Sequence, residues 1–220
     1  MCRRSTDRKY NHGSYSYSYS YSYSYSYPTP TLLLLLLLLL PTPTPTPTPQ
    51  SRTATIAFTG DILSHSPVFE AAKRYGDTTK DYNYLPMFSK VNELIQGADL
   101  AICHLETPIS PDNKELSGYP IFNAPKELAN DLASVGYNGC STASNHSLTK
   151  DLRGVRNARE LEAAGLKWAG MARNMQEKQI PTFYLVNEIV IAHLSYTYGL
   201  NGFRIPSKLP FSLMLYRQRQ

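Results

Sequence analysis

Simple repeats occupy residues 14–49 and limit the part of the chain that can fold. Ser and Tyr alternate over 14–27, Pro and Thr alternate over 28–31 and 41–49, and leucines fill 32–40. Such repeats do not specify a packed core. The sequence therefore predicts a disordered head at residues 1–50, followed by a stretch long enough for one domain.

One DNA repeat accounts for all of these low-complexity segments. The hexamer TCCTAC encodes Ser-Tyr in one frame, Pro-Thr one base later and Leu-Leu two bases later, which are the dipeptides found here. We infer a slippage tract, a sequencing indel or a gene model that runs through a non-coding repeat.

The charge distribution predicts no nucleic-acid partner. The chain carries a formal net charge of +5, of which the head contributes +3 from four basic residues and one acidic residue, so the rest carries +2. No basic run or aromatic-interleaved patch accompanies it.

The leucines would span about 14 Å as a helix, half of a bilayer core. They also lie far from the basic residues, so the head contains no reliable export signal.

Apolar periodicity beyond the head predicts strands that alternate with helices. Strands are predicted at 53–58, 98–105, 137–142 and 167–169, helices at 66–75, 85–96, 125–135 and 151–164, and a hairpin at 183–186 and 189–194. Ser64 or Ser66 is the predicted cap of the first helix, and Asn123 or Ala124 that of the third. This alternation predicts an α/β fold whose sheet is largely parallel.

Two cysteines lie within the predicted sheet. Cys103 and Cys140 occupy apolar strand-like runs and are not spaced as metal-ligand pairs. We expect them to be buried small hydrophobic residues without a disulfide, so the cysteine count does not fix the compartment.

Acidic, amide and imidazole side chains follow the first three predicted strands. Because parallel strands open at the same edge of a sheet, where ligands bind in α/β folds, we expect these side chains to lie together. They are Asp61, His65, Glu106, Asn145 and His146. Oxygen and nitrogen donors without cysteine suit a hydrolytic Zn, Mn or Fe site.

Each of these residues has a candidate role at such a site. Asp61, His65, Glu106 and Asn145 are the candidate metal ligands, and Glu106 is also a candidate base. His146 is a candidate proton donor to a leaving group, or a stabiliser of transition-state charge. Each also has a plain structural interpretation, as a turn cap, a loop residue or the first turn of a helix.

Several sequence blocks together resemble the CapA family of poly-γ-glutamate capsule synthesis proteins. They include FTGDILSH, ADLAICHLETPIS, STASNHSLTKDLRGV and IAHLSYTYGLNG, within residues 53–205. The resemblance implies a metallophosphatase-like layered α/β sandwich that is extracellular and membrane-associated. It implies poly-γ-glutamate or another anionic cell-surface polymer, and capsule synthesis membrane proteins, as partners. Gly60-Asp61 looks like the first metal motif, and Ser144-Asn145-His146 looks like the Asn-His motif.

The chain also departs from this family pattern. His104 stands where the family usually has Asn, and the His-Trp-Gly-x-Glu-like and Gly-His-x-x-His-like segments implied as further metal ligands are not in the sequence. We therefore expect residues 51–207 to be an incomplete front part, residues 208–220 an aberrant tail, and metal binding to be weak, without turnover.

Three functional interpretations follow from the resemblance and its departures. The first is a capsule synthesis protein with a metal-dependent hydrolase-like site. The second is a non-catalytic module that binds or exports polyglutamate, and the third is an inactive gene fragment.

Amide hydrogen exchange of the full-length chain tests the predicted head. We expect residues 14–50 to exchange at the rate of an unstructured peptide, because proline lacks an amide donor and the repeats offer no continuous apolar face. Slow exchange anywhere in the Tyr-Ser stretch would contradict this.

Overall fold

A computed structural model describes residues 50–148, 153–210 and 212–214 of the chain. The predicted head lies outside these residues, as does the predicted helix start at 151, so both remain predictions. No helix in the described part has the length and apolar character needed to cross a bilayer.

Strands and helices alternate along the described chain. The strands are β1 (Ile56–Ile62), β2 (Leu100–Leu105), β3 (Gly139–Ser141), β4 (Lys167–Ala169), β5 (Thr182–Val186) and β6 (Ile189–His193). The helices are α1 (Ser66–Arg74), α2 (Leu85–Phe88), α3 (Asn92–Gln96), α4 (Glu127–Val135), α5 (Arg153–Ala163) and α6 (Met175–Gln179).

Strands β1 to β4 form one parallel sheet in chain order, and β5 and β6 form an antiparallel hairpin. This confirms the expected α/β class. Side chains alternate across β2: Cys103 and Leu105 join the core under the helices, whereas Leu100 and Ile102 pack against the hairpin. The sheet is therefore covered by helices on one face and by the hairpin on the other.

The hairpin turns at the predicted residues. Asn187 and Glu188 have φ angles of 48° and 63°, as both central residues of a tight two-residue hairpin turn require. The Asn187 side chain donates to the Thr53 carbonyl oxygen at 2.9 Å, which ties the turn to the chain just before β1.

Strand β1 continues beyond its predicted end. Gly60 and Asp61 belong to the strand, and a register irregularity between Phe58 and Asp61 accommodates them. Parallel pairing with β2 overrides the turn preference of the Gly-Asp pair. Asp61 therefore projects from the strand itself and pairs in register with His104.

The helix predicted over 85–96 is wrong as a single element, because α2 and α3 are separate short helices. Ser89 Oγ donates to the Pro86 carbonyl oxygen at 2.9 Å and competes with continuation of the helix. Leu94, an apolar residue of α3, is 75% exposed. Little burial is therefore available to hold one long helix together.

Both predicted helix caps are wrong. His65 caps α1, whereas Ser64 is buried and shares a hydrogen bond of 2.7 Å with the Tyr84 hydroxyl. Lys126 precedes α4. Asn123 and Ala124, the predicted caps, instead pair in extended backbone with Ser117 and Ile109.

Helix α6 was not predicted, although a local signal for it exists. The Asn174 side chain accepts a hydrogen bond from the Glu177 amide at 2.9 Å. An Asn followed three residues later by Glu is a recognisable variant of the capping box.

The expectation of free cysteines is wrong, because the structure joins Cys103 and Cys140 in a disulfide. These residues are register partners in β2 and β3, so parallel pairing brings their Cα atoms to 4.5 Å. Their exposures are 1% and 0%. Sequence spacing did not reveal the partnership because it depends on the register of two strands.

Part of the predicted aberrant tail packs into the domain. Leu213 is fully buried and forms a bridge with Met171. The Met214 amide donates to the Gly170 carbonyl oxygen at 2.8 Å. These contacts place residues 212–214 within the folded domain.

Replacing both Cys103 and Cys140 with Ala should lower the free energy of unfolding. Because the cross-link spans a sequence separation of 37 residues, chain entropy alone predicts a loss of about 3–4 kcal/mol. Urea unfolding without reductant measures the effect, and Cys2→Ala is the matched control. Equal stability of the double variant and the wild type would show that the disulfide does not form.

Candidate functional site

Neighbouring strands place Asp61 beside His104. Register partners in a parallel sheet project to the same face, and the His104 Nδ1 to Asp61 Oδ1 distance is 2.7 Å. The Asp61 side chain is largely exposed and that of His104 is partly exposed. Water screens such a contact, so it orients the two groups more than it stabilises the fold.

Glu106 and His146 form a second carboxylate–imidazole pair. Glu106 lies one residue beyond β2, and its Oε1 is 3.8 Å from His146 Nε2. Both side chains are 13% exposed. The Phe122 ring packs edge-on against the imidazole with centroids 4.8 Å apart, which limits the orientations that His146 can adopt.

The pKa of Glu106 is raised above its ordinary value. Burial is the largest cause, and the negative charge of Asp61 adds to it, while His146 and His104 act in the opposite direction. Glu106 therefore interacts electrostatically with its own partner His146 and with both members of the Asp61–His104 pair. A carboxyl group that holds its proton more readily is suited to acid–base exchange.

Hydrogen bonds within the loop after β3 fix the position of His146. The His146 amide donates to Ser144 Oγ at 3.0 Å. The Ser144 amide donates to Ser147 Oγ at 2.7 Å, and that hydroxyl donates to the Thr142 carbonyl oxygen at 2.6 Å. The loop is therefore braced against the end of β3.

Asn145, a predicted metal ligand, is bonded within the protein. Its Oδ1 accepts from Ser144 Oγ at 3.0 Å, and its Nδ2 donates to Asn201 Oδ1 at 3.2 Å. The Nδ2 atom of Asn201 also lies 3.5 Å from His146 Nδ1. Asn201 is a site residue that the sequence did not predict, since only tertiary folding brings its turn to this loop.

His65 contributes to the site less directly than predicted. Its Nδ1 accepts a hydrogen bond from the Ser66 amide at 2.8 Å, so that nitrogen serves the start of α1. The imidazole meets the Phe122 ring at 5.6 Å, on a ring that also contacts His146. A side chain at Gly118 would collide with the Ser66 hydroxyl, so glycine there allows the chain to approach closely.

The candidate ligands have the donor atoms that a divalent cation prefers, but their present positions do not bring them around one ion. Carboxylate oxygens, an amide oxygen and imidazole nitrogens are the ligands that Zn, Mn and Fe accept in hydrolytic sites. Within residues 50–148, 153–210 and 212–214, no three His, Cys, Asp or Glu side chains are grouped to hold one ion. The candidate ligands Asp61 and Asn145 hydrogen-bond to protein groups in this arrangement.

Asp61→Asn should lower the pKa of Glu106 toward its ordinary value, because it removes the neighbouring negative charge. Burial remains, so the pKa should stay partly raised. Titration of the side-chain carboxyl carbons by NMR, with a chelator present, measures the change. Glu160 is the internal control because burial also raises its pKa, but Asp61 does not contribute. Equal shifts of both carboxyls would contradict a local effect.

Two comparisons with known proteins bear on this arrangement. A search of curated proteins finds no match to the chain. The sequence model of the bacterial capsule synthesis protein PGA_cap matches residues 55–213, from the residue before β1 to the buried Leu213. Since this match covers more than half of the sequence, the chain belongs to the PGA_cap family of bacterial capsule synthesis proteins.

Proposed function

We propose that this protein acts in capsule synthesis through a metal-dependent, hydrolase-like site. The site would bind an anionic cell-surface polymer, and the family resemblance implies poly-γ-glutamate as that polymer. The observation that carries the proposal is the largely buried pair of Glu106 and His146, beside Asp61 at the carboxyl edge of the sheet. This edge is the usual ligand-binding position of α/β sheets.

Asp61, His65, Glu106 and Asn145 would hold the ion. When bound, a divalent cation supplies Lewis acidity and makes water a stronger nucleophile at neutral pH. Their donor chemistry supports this assignment, and the exposed Asp61 carboxylate leaves an approach from solvent.

His146 would protonate a leaving group. Phe122 and Asn201 hold its ring, and its Nε2 faces the Glu106 carboxyl. The protonated ring of His146 is the form that would donate the proton. Glu106 in turn could accept a proton, because its pKa is raised.

The proposal includes a location outside the cell or at its surface. The buried disulfide between Cys103 and Cys140 supports it, because structural disulfides persist mainly in oxidising compartments.

Calorimetry with Mn²⁺ or Zn²⁺ tests the ion site. We expect the wild-type chain to bind the ion weakly. We expect Asp61→Asn and Glu106→Gln to reduce the affinity by at least about 10-fold, the smallest loss typical even of an outer-shell partner. Glu160→Gln is the matched control, since Glu160 lies on α5 and shares only the burial-raised pKa. Equal affinities in all four proteins would remove Asp61 and Glu106 from the site.

Polymer binding with and without a chelator separates the alternatives. A metal-dependent site predicts that poly-γ-glutamate binding rises with Mn²⁺ and that Asp61→Asn abolishes this rise. A non-catalytic polymer module predicts binding that chelation leaves unchanged. An inactive fragment predicts neither polymer binding nor a cooperative unfolding transition.

A further inference from the structure

A second polar cluster lies where the hairpin packs against the sheet. Ser141, the last residue of β3, has its Oγ 2.8 Å from Nε2 of His193 at the end of β6. His193 Nδ1 lies 3.5 Å from the Tyr184 hydroxyl on β5. The His193 side chain is buried, at 6% exposure, and no group of the proposed metal site uses it.

Glycine at position 139 makes room for this cluster. A side chain there would collide with the Tyr184 hydroxyl, so the tyrosine can approach β3 only because residue 139 has none. Lys167, on β4, places its ammonium group 5.1 Å from the centre of the Tyr184 ring and donates to the Phe183 carbonyl oxygen at 2.6 Å. The tyrosine is therefore held from two sides.

The hydrogen bonds and the burial favour one protonation state of His193. When the Ser141 hydroxyl donates to Nε2, this nitrogen is unprotonated and the ring proton is on Nδ1, which lies 3.5 Å from the Tyr184 oxygen. Burial lowers the pKa of His193, which keeps the ring neutral at neutral pH. A neutral imidazole that accepts from a hydroxyl is the arrangement that activates a serine nucleophile.

A cavity of about 620 Å³ reaches this pair at His193, while Ser141, at hydrogen-bond distance from His193 Nε2, is not itself part of the cavity wall. His193 lines it together with Ala169, which is the register partner of Ser141 on β4. Ser195, Trp168 and Tyr196 form other parts of its wall. This volume is within the range of small-molecule sites.

We propose that Ser141 and His193 form a nucleophile–base pair that transfers acyl groups from ester or amide substrates bound in this cavity. Ser141 Oγ bonds to the carbonyl carbon while its proton moves to His193 Nε2. The bond to the leaving alcohol or amine then breaks, and the leaving group takes that proton. Water attacks the acyl-serine with His193 again as the base, which releases the acid and restores the hydroxyl.

This activity is independent of the proposed metal site and needs no ion. The competing explanation is structural: the same hydrogen bonds would satisfy buried polar groups and hold the hairpin on the sheet. The two explanations differ in reactivity, since a structural serine reacts no faster than any other serine hydroxyl.

Labelling with a fluorophosphonate tests the reactivity of Ser141. The serine oxygen bonds to phosphorus, fluoride leaves and His193 takes the proton, so labelling depends on the same pair. The full-length chain is treated in the presence of a chelator, and the labelled peptide is identified by mass spectrometry. We expect the label on Ser141, no label in Ser141→Ala, and labelling slowed by roughly 100-fold or more in His193→Gln, as expected for loss of a general base.

Ser195→Ala is the matched control, because Ser195 lines the same cavity and accepts a hydrogen bond from a backbone amide. It should label like the wild type. Absence of label from Ser141 in the wild type would overturn the proposal, as would an unchanged rate in a folded His193→Gln protein. If His193→Gln does not fold, the relative labelling of Ser141 and Ser195 in the wild type decides the question.

Discussion

Burial of strand β2 on both faces is the constraint around which the domain is arranged. Leu100 and Ile102 are covered by the hairpin, while Cys103 and Leu105 are covered by the helices. Burying one Leu or Ile side chain stabilises a fold by roughly 1.5–3 kcal/mol. Both covering layers therefore depend on β2. His104 and Glu106 lie at its end, so the buried strand holds them in place. Asp61 and His146 reach the site from the two neighbouring strands.

The sequence predicted the elements of the sheet better than the contacts between them. Apolar runs located the strands, and polar residues at their ends located the candidate site. The pairing of Asp61 with His104 depends on a register irregularity in β1 that no local pattern encodes. The approach of Asn201 to His146 depends on a turn distant in sequence. His65 was a reasonable ligand candidate by spacing, but the unpaired amides at the start of α1 compete for its Nδ1.

The two polar clusters of this protein occupy the same level of the sheet. His104, in the first cluster, is the register partner of Ser141, in the second. The carboxyl edge of the parallel sheet thus carries one cluster at the ends of β1 and β2, and a second where Ser141 of β3 meets Tyr184 and His193 of the hairpin. One set is partly open to solvent beside β1, and the other is enclosed by the hairpin beside β4. Their different exposure supports the two separate proposals, an ion and a polyanion at the first cluster and uncharged acyl groups at the second.

The disulfide joins register partners, so its formation depends on how β2 and β3 are aligned. A slip of one residue between β2 and β3 would turn one sulfur toward the helices and the other toward the hairpin, since successive side chains in a strand point to opposite faces. Cys103 and Cys140 can therefore oxidise together only when the two strands have paired correctly. In an oxidising compartment, the cross-link would stabilise the correct pairing of the two strands. Chains with a slipped register would keep free thiols and would remain able to rearrange.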